Sequence, residues 1–221
     1  MRIYVGYDDR YDHVYQVCRQ SILDTTPGAE VIPIKKDHFP YDRRPGSTQF
    51  TYTRFLVPYL NDYKGWALFV DSDTLALDDL RPILASASPN RALCVVKHNY
   101  RPLSDTKMDN QKQLLYPRKN WSSVMLFNCS HPANTILSKK FVAHAEGGYL
   151  HQFKWLSDEQ IGEFSKEYNW LVGWYKNKQH GTPKLLHYTE GGPWLDQYKE
   201  CEFADKWLSV YQKINSNKHT H

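Results

Sequence analysis

No apolar run in this chain of 221 residues approaches the roughly 20 that a membrane-spanning helix needs. The opening MRIYVGYDDR also lacks the apolar core of a secretory signal. Cysteine is sparse: Cys18, Cys94, Cys129 and Cys201 stand far apart with no CxxC pair. That excludes a disulfide frame or a zinc site and predicts reduced thiols in a cytoplasmic, soluble protein. In that compartment the Asn-x-Ser triplets at Asn120 and Asn128 carry no glycan. There is no internal repeat, no low-complexity segment and no linker, so one domain over residues 1–221 is expected. The net charge of +4 suits an anionic substrate, but no concentrated basic stripe marks a nucleic-acid footprint.

What is present is an ordinary globular composition, 41% hydrophobic and 24% charged, unusually rich in tyrosine, with 16 copies beside seven tryptophans. Such rings build cores, and they also suit flat or hydroxyl-bearing ligands such as nucleosides and sugars. Along residues 1–97, strand and helix signals alternate. RIYVGY, EVIPI, WALFVD and ALCVVK read as strands. From Asp12, Val14, Val17, Cys18, Ser21 and Ile22 follow helical spacing until TTPG. TQFTYTRFLVPYL and DDLRPILASA read as further helices. The pattern predicts an α/β fold with a mostly parallel sheet, in which ligands bind beyond the carboxyl ends of the strands. Residues 98–121 form a long polar, basic loop. Beyond it SSVMLFNCS is a strand, HPANTILSKKFVAH and LSDEQIGEF helices, PKLLHY a strand and FADKWLSVYQKI a closing helix.

Two acids, Asp71 and Asp73, end the apolar run ALFVDSDTLAL. Burying an unpaired carboxylate costs several kcal/mol. Either a divalent cation compensates them, with the remaining ligands drawn from substrate phosphates, or they simply shape a turn. In LLHYTEGGPW, His187 ends another apolar run before a glycine turn. It is either a cation ligand, imidazole favouring Mn²⁺ over Mg²⁺, or a core histidine with one satisfied hydrogen bond. The exposed N–H groups of Gly191 and Gly192 suit a diphosphate. In SDEQ, Ser157 and the acids Asp158 and Glu159 suit a helix start, which is compatible with a chemical role. Asp9 and Asp12 are expected to cap the first helix, and Asp78 and Asp79 the next. His98, His131, His144, His151 and His180 show no ligand spacing and are expected in loops or on the surface. Trp66, Trp170 and Trp174 are expected in the core.

Taken in order, YVGYDDRY, TYTRFLVPYL, FVDSDTLAL, SSVMLFNC, LSDEQIG and HYTEGGPW resemble the metal-dependent glycosyltransferases of the GT-A fold. The nearest likeness is to family 8, the glycogenin and lipooligosaccharide galactosyltransferase group, over most of the chain. The resemblance implies a Rossmann-like domain with a nucleotide-binding half at 1–97 and an acceptor-side half at 98–221. It implies Mn²⁺ or Mg²⁺ on Asp71, Asp73 and His187, and a UDP-linked hexose donor with a carbohydrate or other hydroxyl acceptor. Asp8 would accept from the base, with Tyr7 or Tyr11 against its ring, while Asp71 and Ser72 would reach the nucleotide. Arg54 would sit by the phosphates or donor sugar, Asp158 would bind sugar hydroxyls, and Glu159 would act as nucleophile, oxocarbenium stabiliser or base.

Two departures bear on chemistry. Gly192 stands directly before Pro193-Trp194, where the family carries a lysine on the diphosphate, leaving Arg54, Lys184, Arg101 or Arg118 to replace it. Glu159 occupies the family's middle glutamine position, which leaves retention or inversion open. The competing readings are a sugar-nucleotide pyrophosphorylase, whose glycine- and lysine-rich N-terminal signature is missing, and a non-catalytic nucleotide- or carbohydrate-binding module.

Overall fold

The computed structural model describes residues 1–36, 46–99, 106–107, 111–112 and 117–218. In chain order the first elements are β1 (Arg2–Gly6), α1 (Asp12–Thr25) and β2 (Glu30–Ile34). Next come α2 (Val57–Leu60), β3 (Trp66–Val70), β4 (Thr74–Ala76) and β5 (Leu93–Val95). Two short strands follow, β6 (Thr106–Lys107) and β7 (Gln111–Lys112), then β8 (Val124–Asn128), α3 (Lys139–His144) and α4 (Gly147–His151). The last are β9 (Ile161–Glu163), β10 (Trp170–Leu171), α5 (Asn177–His180), β11 (Leu185–His187) and α6 (Ala204–Lys218).

Six strands form the main sheet in the order β2-β1-β3-β8-β5-β9. Its pairs are parallel except where β8 lies antiparallel to β3 and β5. The carboxyl ends of the other five strands therefore share one edge, and β8 brings its amino end to that edge. Strand alternation explains why both faces are covered. Tyr4, Phe69, Val95, Met125 and Phe127 face one core cluster, while Ile3, Val5, Leu68, Val70, Cys94 and Leu126 face another. Truncating such a residue, for instance Phe127→Ala, costs about 3–5 kcal/mol. A second sheet, β10-β11-β4, closes over a third cluster with Trp170, Tyr188 and Trp207.

The predicted α/β class with a mostly parallel sheet is what forms, and the strands RIYVGY, EVIPI, WALFVD, ALCVVK, SSVMLFN and PKLLHY are all present. The long helices fall in α1 and α6. Four helical expectations differ. DDLRPILASA is a 3₁₀ segment at Arg81–Ser86. TQFTYTRFLVPYL is turns and a 3₁₀ segment before the one-turn α2, with Pro58 inside that turn. HPANTILSKKFVAH is a 3₁₀ segment at Pro132–Ile136 and then α3, which restarts at Ser138, whose hydroxyl accepts from Phe141 N. LSDEQIGEF is helical only over Asp158–Gln160, because Ile161 onward pairs with β5. Ile161, Gly162 and Glu163 extend the sheet edge beside β5 instead of continuing the helix. Much of the predicted loop 98–121 lies outside the described residues.

Candidate metal and nucleotide site

The cation group is assembled by strand register. β3 ends at Val70, and Asp71 N extends the ladder to Ser123 O at 2.9 Å. The chain then turns, stapled by Thr74 Oγ1 donating to Asp71 O at 2.8 Å, and becomes β4. β4 pairs antiparallel with β11 so that Thr74 faces His187, and Tyr188 N donates to Asp73 O at 3.0 Å. The turn from β3 into β4 and the strand paired with β4 thus bring residues 71, 73 and 187 together. One ligand atom from each of Asp71, Asp73 and His187 lies within 4.8 Å of the others.

The donor set fits a divalent cation on two counts. Asn169 Nδ2 donates to Ser123 Oγ at 2.9 Å and Asn120 O at 3.4 Å, which turns its carbonyl oxygen toward His187 Nδ1 at 3.0 Å. In the neutral ring Nδ1 then carries the proton and Nε2 presents a lone pair 3.5 Å from Asp73 Oδ1. A ring nitrogen and a carboxylate oxygen at that distance suit a shared cation. Asp71 is the second count. Its Oδ1 is buried and accepts no hydrogen bond, although Arg54 Nη1 stands 2.8 Å away outside bonding geometry. Burial pushes the Asp71 carboxyl up to about 6; Arg54 pulls it back, Asp73 pushes it further and His187 pulls again.

Arg54 is itself buried and reaches Asp71 Oδ2 at 3.2 Å and Ser122 O at 3.0 Å. The structure therefore brings Arg54, Asp71, Asp73 and His187 to one place, with Ser72 buried between the acids. Gly191, at φ 138°, makes the turn beyond His187 in a conformation suited to glycine, and its N–H is already given to Tyr188 O at 2.9 Å. Gly192 packs beneath the Trp194 ring.

Other expected residues are placed differently. Asp8 is 2% exposed, and its oxygens accept from Arg10 Nε at 2.9 Å, Arg10 Nη2 at 2.6 Å, Arg10 N at 3.2 Å and Gln49 N at 3.1 Å. Burial pushes its carboxyl up, but these donors pull harder and hold it below the ordinary value. It caps the turn before α1 and ties residue 49 down, leaving little acceptor capacity for a base. Tyr7 gives its hydroxyl to Asp12 at 2.9 Å, and Tyr11 lies half-buried with the Arg10 guanidinium 5.7 Å over its ring.

Asp158 and Glu159 are not brought to the cation group. They precede β9, which runs parallel to β5 with Leu93 beside Ile161, so they stand at the amino edge of the sheet. Gln160 O accepts from Ala92 N at 2.9 Å, and Glu159 O accepts from Arg91. From register, Glu159 is on the order of 15 Å from Asp71 along the strands and three strands sideways. Both acids are exposed; Asp158 pairs with Arg118, and Ser157 with Gln160 forms a capping box. Of the cations considered for the diphosphate, Arg118 is held by Asp158 and Gln152 O. Lys184 pairs with Asp78 at 3.7 Å at the end of β11 away from His187, and Arg101 lies outside the described residues.

Sequence reasoning missed Asn169 and His98. His98, expected in a loop or on the surface, is 6% exposed at the carboxyl end of β5. The only sequence signal is position: His98 stands two residues past the apolar run ALCVV, after Lys97, whereas His187 directly follows PKLL. Trp170 is fully buried as expected, Trp66 and Trp174 half-buried, and all four cysteines are free.

No protein-family model matches the chain. Among solved structures, the bifunctional glycosyltransferase WbbM aligns with a TM-score of 0.71 at 16% identity over 96% of this chain. The galactosyltransferase LgtC, solved with donor and acceptor sugar analogues, aligns at 0.63 and 13% identity over 96% of both chains. The glycosyltransferase GlyE of Streptococcus pneumoniae aligns at 0.63 and 16% identity. The chain spans about half the length of WbbM (49%) and 59% of GlyE. The fold is therefore the GT-A glycosyltransferase fold. Protein CDI of Arabidopsis thaliana is 45% identical over 97% of this chain and 87% of its own length. By that measure the chain belongs to the family of the Arabidopsis protein CDI.

Proposed function

We propose that this protein is a metal-dependent glycosyltransferase that moves a hexose from a nucleotide-diphosphate donor to a hydroxyl acceptor. UDP-glucose and UDP-galactose are the first donors to consider, with a carbohydrate as the first acceptor. The observation that carries the reading is the convergence of Asp71, Asp73 and His187 at the carboxyl edge of a GT-A sheet. Ligands of open α/β sheets bind at that edge.

Asp71, Asp73 and His187 would hold Mn²⁺ or Mg²⁺. A cation there would supply Lewis-acid neutralisation of the diphosphate as it leaves. Arg54 keeps the Asp71 carboxylate oriented and places a fixed positive charge beside it. Asn169 keeps the His187 proton on Nδ1, so that Nε2 stays a ligand. Gly192 follows in the turn and would present its backbone toward the phosphates. With Asp8 engaged, the nucleoside would meet the Arg10 guanidinium and the Tyr11 ring. Asp158 and Glu159 have no part at this site.

The placement of Asp158 and Glu159 also favours a second reading, a binding module that holds the nucleotide without turnover. Incubation with UDP-glucose and UDP-galactose, with and without Mn²⁺, separates the two. A transferase releases UDP slowly and only with the metal. Mn²⁺-dependent UDP binding without release across the donors selects the module, and absence of both rejects the site.

A further inference from the structure

His98 sits where the main sheet meets the small one. Its carbonyl oxygen accepts from Trp121 Nε1 at 2.9 Å, and the neighbouring Asn120 O receives Asn169, the residue that orients His187. On its other side, His98 Nδ1 lies 2.6 Å from Tyr175 Oη, and the two rings stack at 5.8 Å. Tyr175 follows β10, whose Leu171 pairs with His187. Both routes lead back to the cation group.

Burial pushes the Tyr175 phenol up to about 12, so it keeps its proton, and burial pushes the His98 imidazole down to about 3, so it stays neutral. Tyr175 Oη and His98 Nδ1 share one hydrogen across 2.6 Å, so the direction of that bond sets the tautomer of His98. When the phenol donates, His98 carries its hydrogen on Nε2, and that atom is buried with no hydrogen-bond partner among the described residues. A buried N–H without an acceptor is unfavourable, and a ligand oxygen would relieve it. The surface is one residue away, at exposed Asn99.

We propose that His98 Nε2–H donates to a hydroxyl of the sugar carried by the nucleotide donor, with Tyr175 as the positioning residue that selects its tautomer. This rests on the transferase reading, in which the sugar hangs directly from the cation-bound phosphate and meets groups beside His187 first. His98 lies in a loop, one of the two places expected of it, and is buried there rather than on the surface.

The test is calorimetry with Mn²⁺, comparing UDP with UDP-glucose and UDP-galactose on the wild-type chain, His98→Phe and Tyr175→Phe. The wild type should bind the better UDP-hexose more tightly than UDP. In His98→Phe UDP affinity should hold while the sugar's increment falls roughly tenfold, and Tyr175→Phe should lose part of it. On ¹⁵N-histidine spectra the His98 Nε2–H signal should move with UDP-hexose and stay with UDP, which a merely structural histidine would not do. An unchanged increment in folded His98→Phe overturns the proposal, and so does a still Nε2 signal, which decides the matter should that variant not fold. Wild type that binds UDP but gains nothing from the sugar also overturns it while leaving the nucleotide site standing. Failure to bind any of the three ligands rejects the site itself.

Discussion

Asp71/Asp73 and Asp158/Glu159 are two acidic pairs of similar appearance, each lying beside a strand of the same sheet. Asp71 and Asp73 follow β3, while Asp158 and Glu159 precede β9. β3 and β9 run in the same direction, since β3 and β5 are both antiparallel to β8 and β9 is parallel to β5. Following one strand and preceding the other therefore puts the pairs on opposite edges. The first pair is enclosed, with Arg54, His187 and the turn to β4 around it. The second faces solvent, and its neighbours are the ordinary partners of a 3₁₀ start. What separates a site from a cap here is strand direction, which no local spacing of carboxylates records.

The sharpest way to break this contrast is Asp73→Ala. It should lower Mn²⁺-dependent UDP affinity by more than about a hundredfold, because it removes a ligand and leaves His187 Nε2 alone. Calorimetry with and without the metal reads this directly, and retained affinity would mean the three residues hold no ion. Asn169→Ala should be the next largest. Without the carbonyl at 3.0 Å from Nδ1, the His187 tautomer is no longer selected, and Mn²⁺ affinity should fall about ten- to hundredfold. Titration by competition with a metal indicator checks it, while UDP binding without metal should not change.

A smaller effect should appear in the pH dependence of stability. Burial depresses the folded-state pKa of His98 to about 3 from an ordinary 6.5. A depressed histidine contributes stability that is fully present above about 6.5 and is lost as pH falls from there toward 3, because the unfolded chain takes up the proton first. In His98→Phe, melting temperatures measured from pH 7 to pH 4 should fall less steeply than in the wild type. A parallel decline in both would show that the imidazole is not buried as placed.

Much of the carboxyl edge was legible because its signals are local. An apolar strand that ends in acid, as at Val70-Asp71, and one that ends in histidine, as at Leu186-His187, can each be read without the fold. Their convergence needed the β4–β11 register, where Thr74 faces His187. β4 itself was not anticipated, since three residues, Thr74–Ala76, are too few for periodicity to declare. Asp8 was legible as an acid at a strand end but not as one already filled by Arg10 and Gln49, since the residues that engage it come partly from 41 positions away. The 3₁₀ start at Asp158 was legible as a cap, and the chemistry attached to it came only from likeness to other sequences.

The smallest expected effect completes the contrast. Glu159→Ala removes an exposed side chain whose backbone carbonyl, not its carboxylate, is what Arg91 uses. Mn²⁺-dependent UDP affinity and donor hydrolysis should therefore stay within about twofold of wild type. Asp158→Ala should do slightly more, since it releases Arg118 from one of its two partners while Gln152 O still holds the guanidinium at 2.7 Å. The comparison is informative because the two acidic pairs predict opposite outcomes from the same substitution. A large loss of turnover in Glu159→Ala with UDP binding intact would mean that the amino edge of β9 swings to the donor in the working complex. The placement of Glu159 beside Arg91 would then describe only the ligand-free chain.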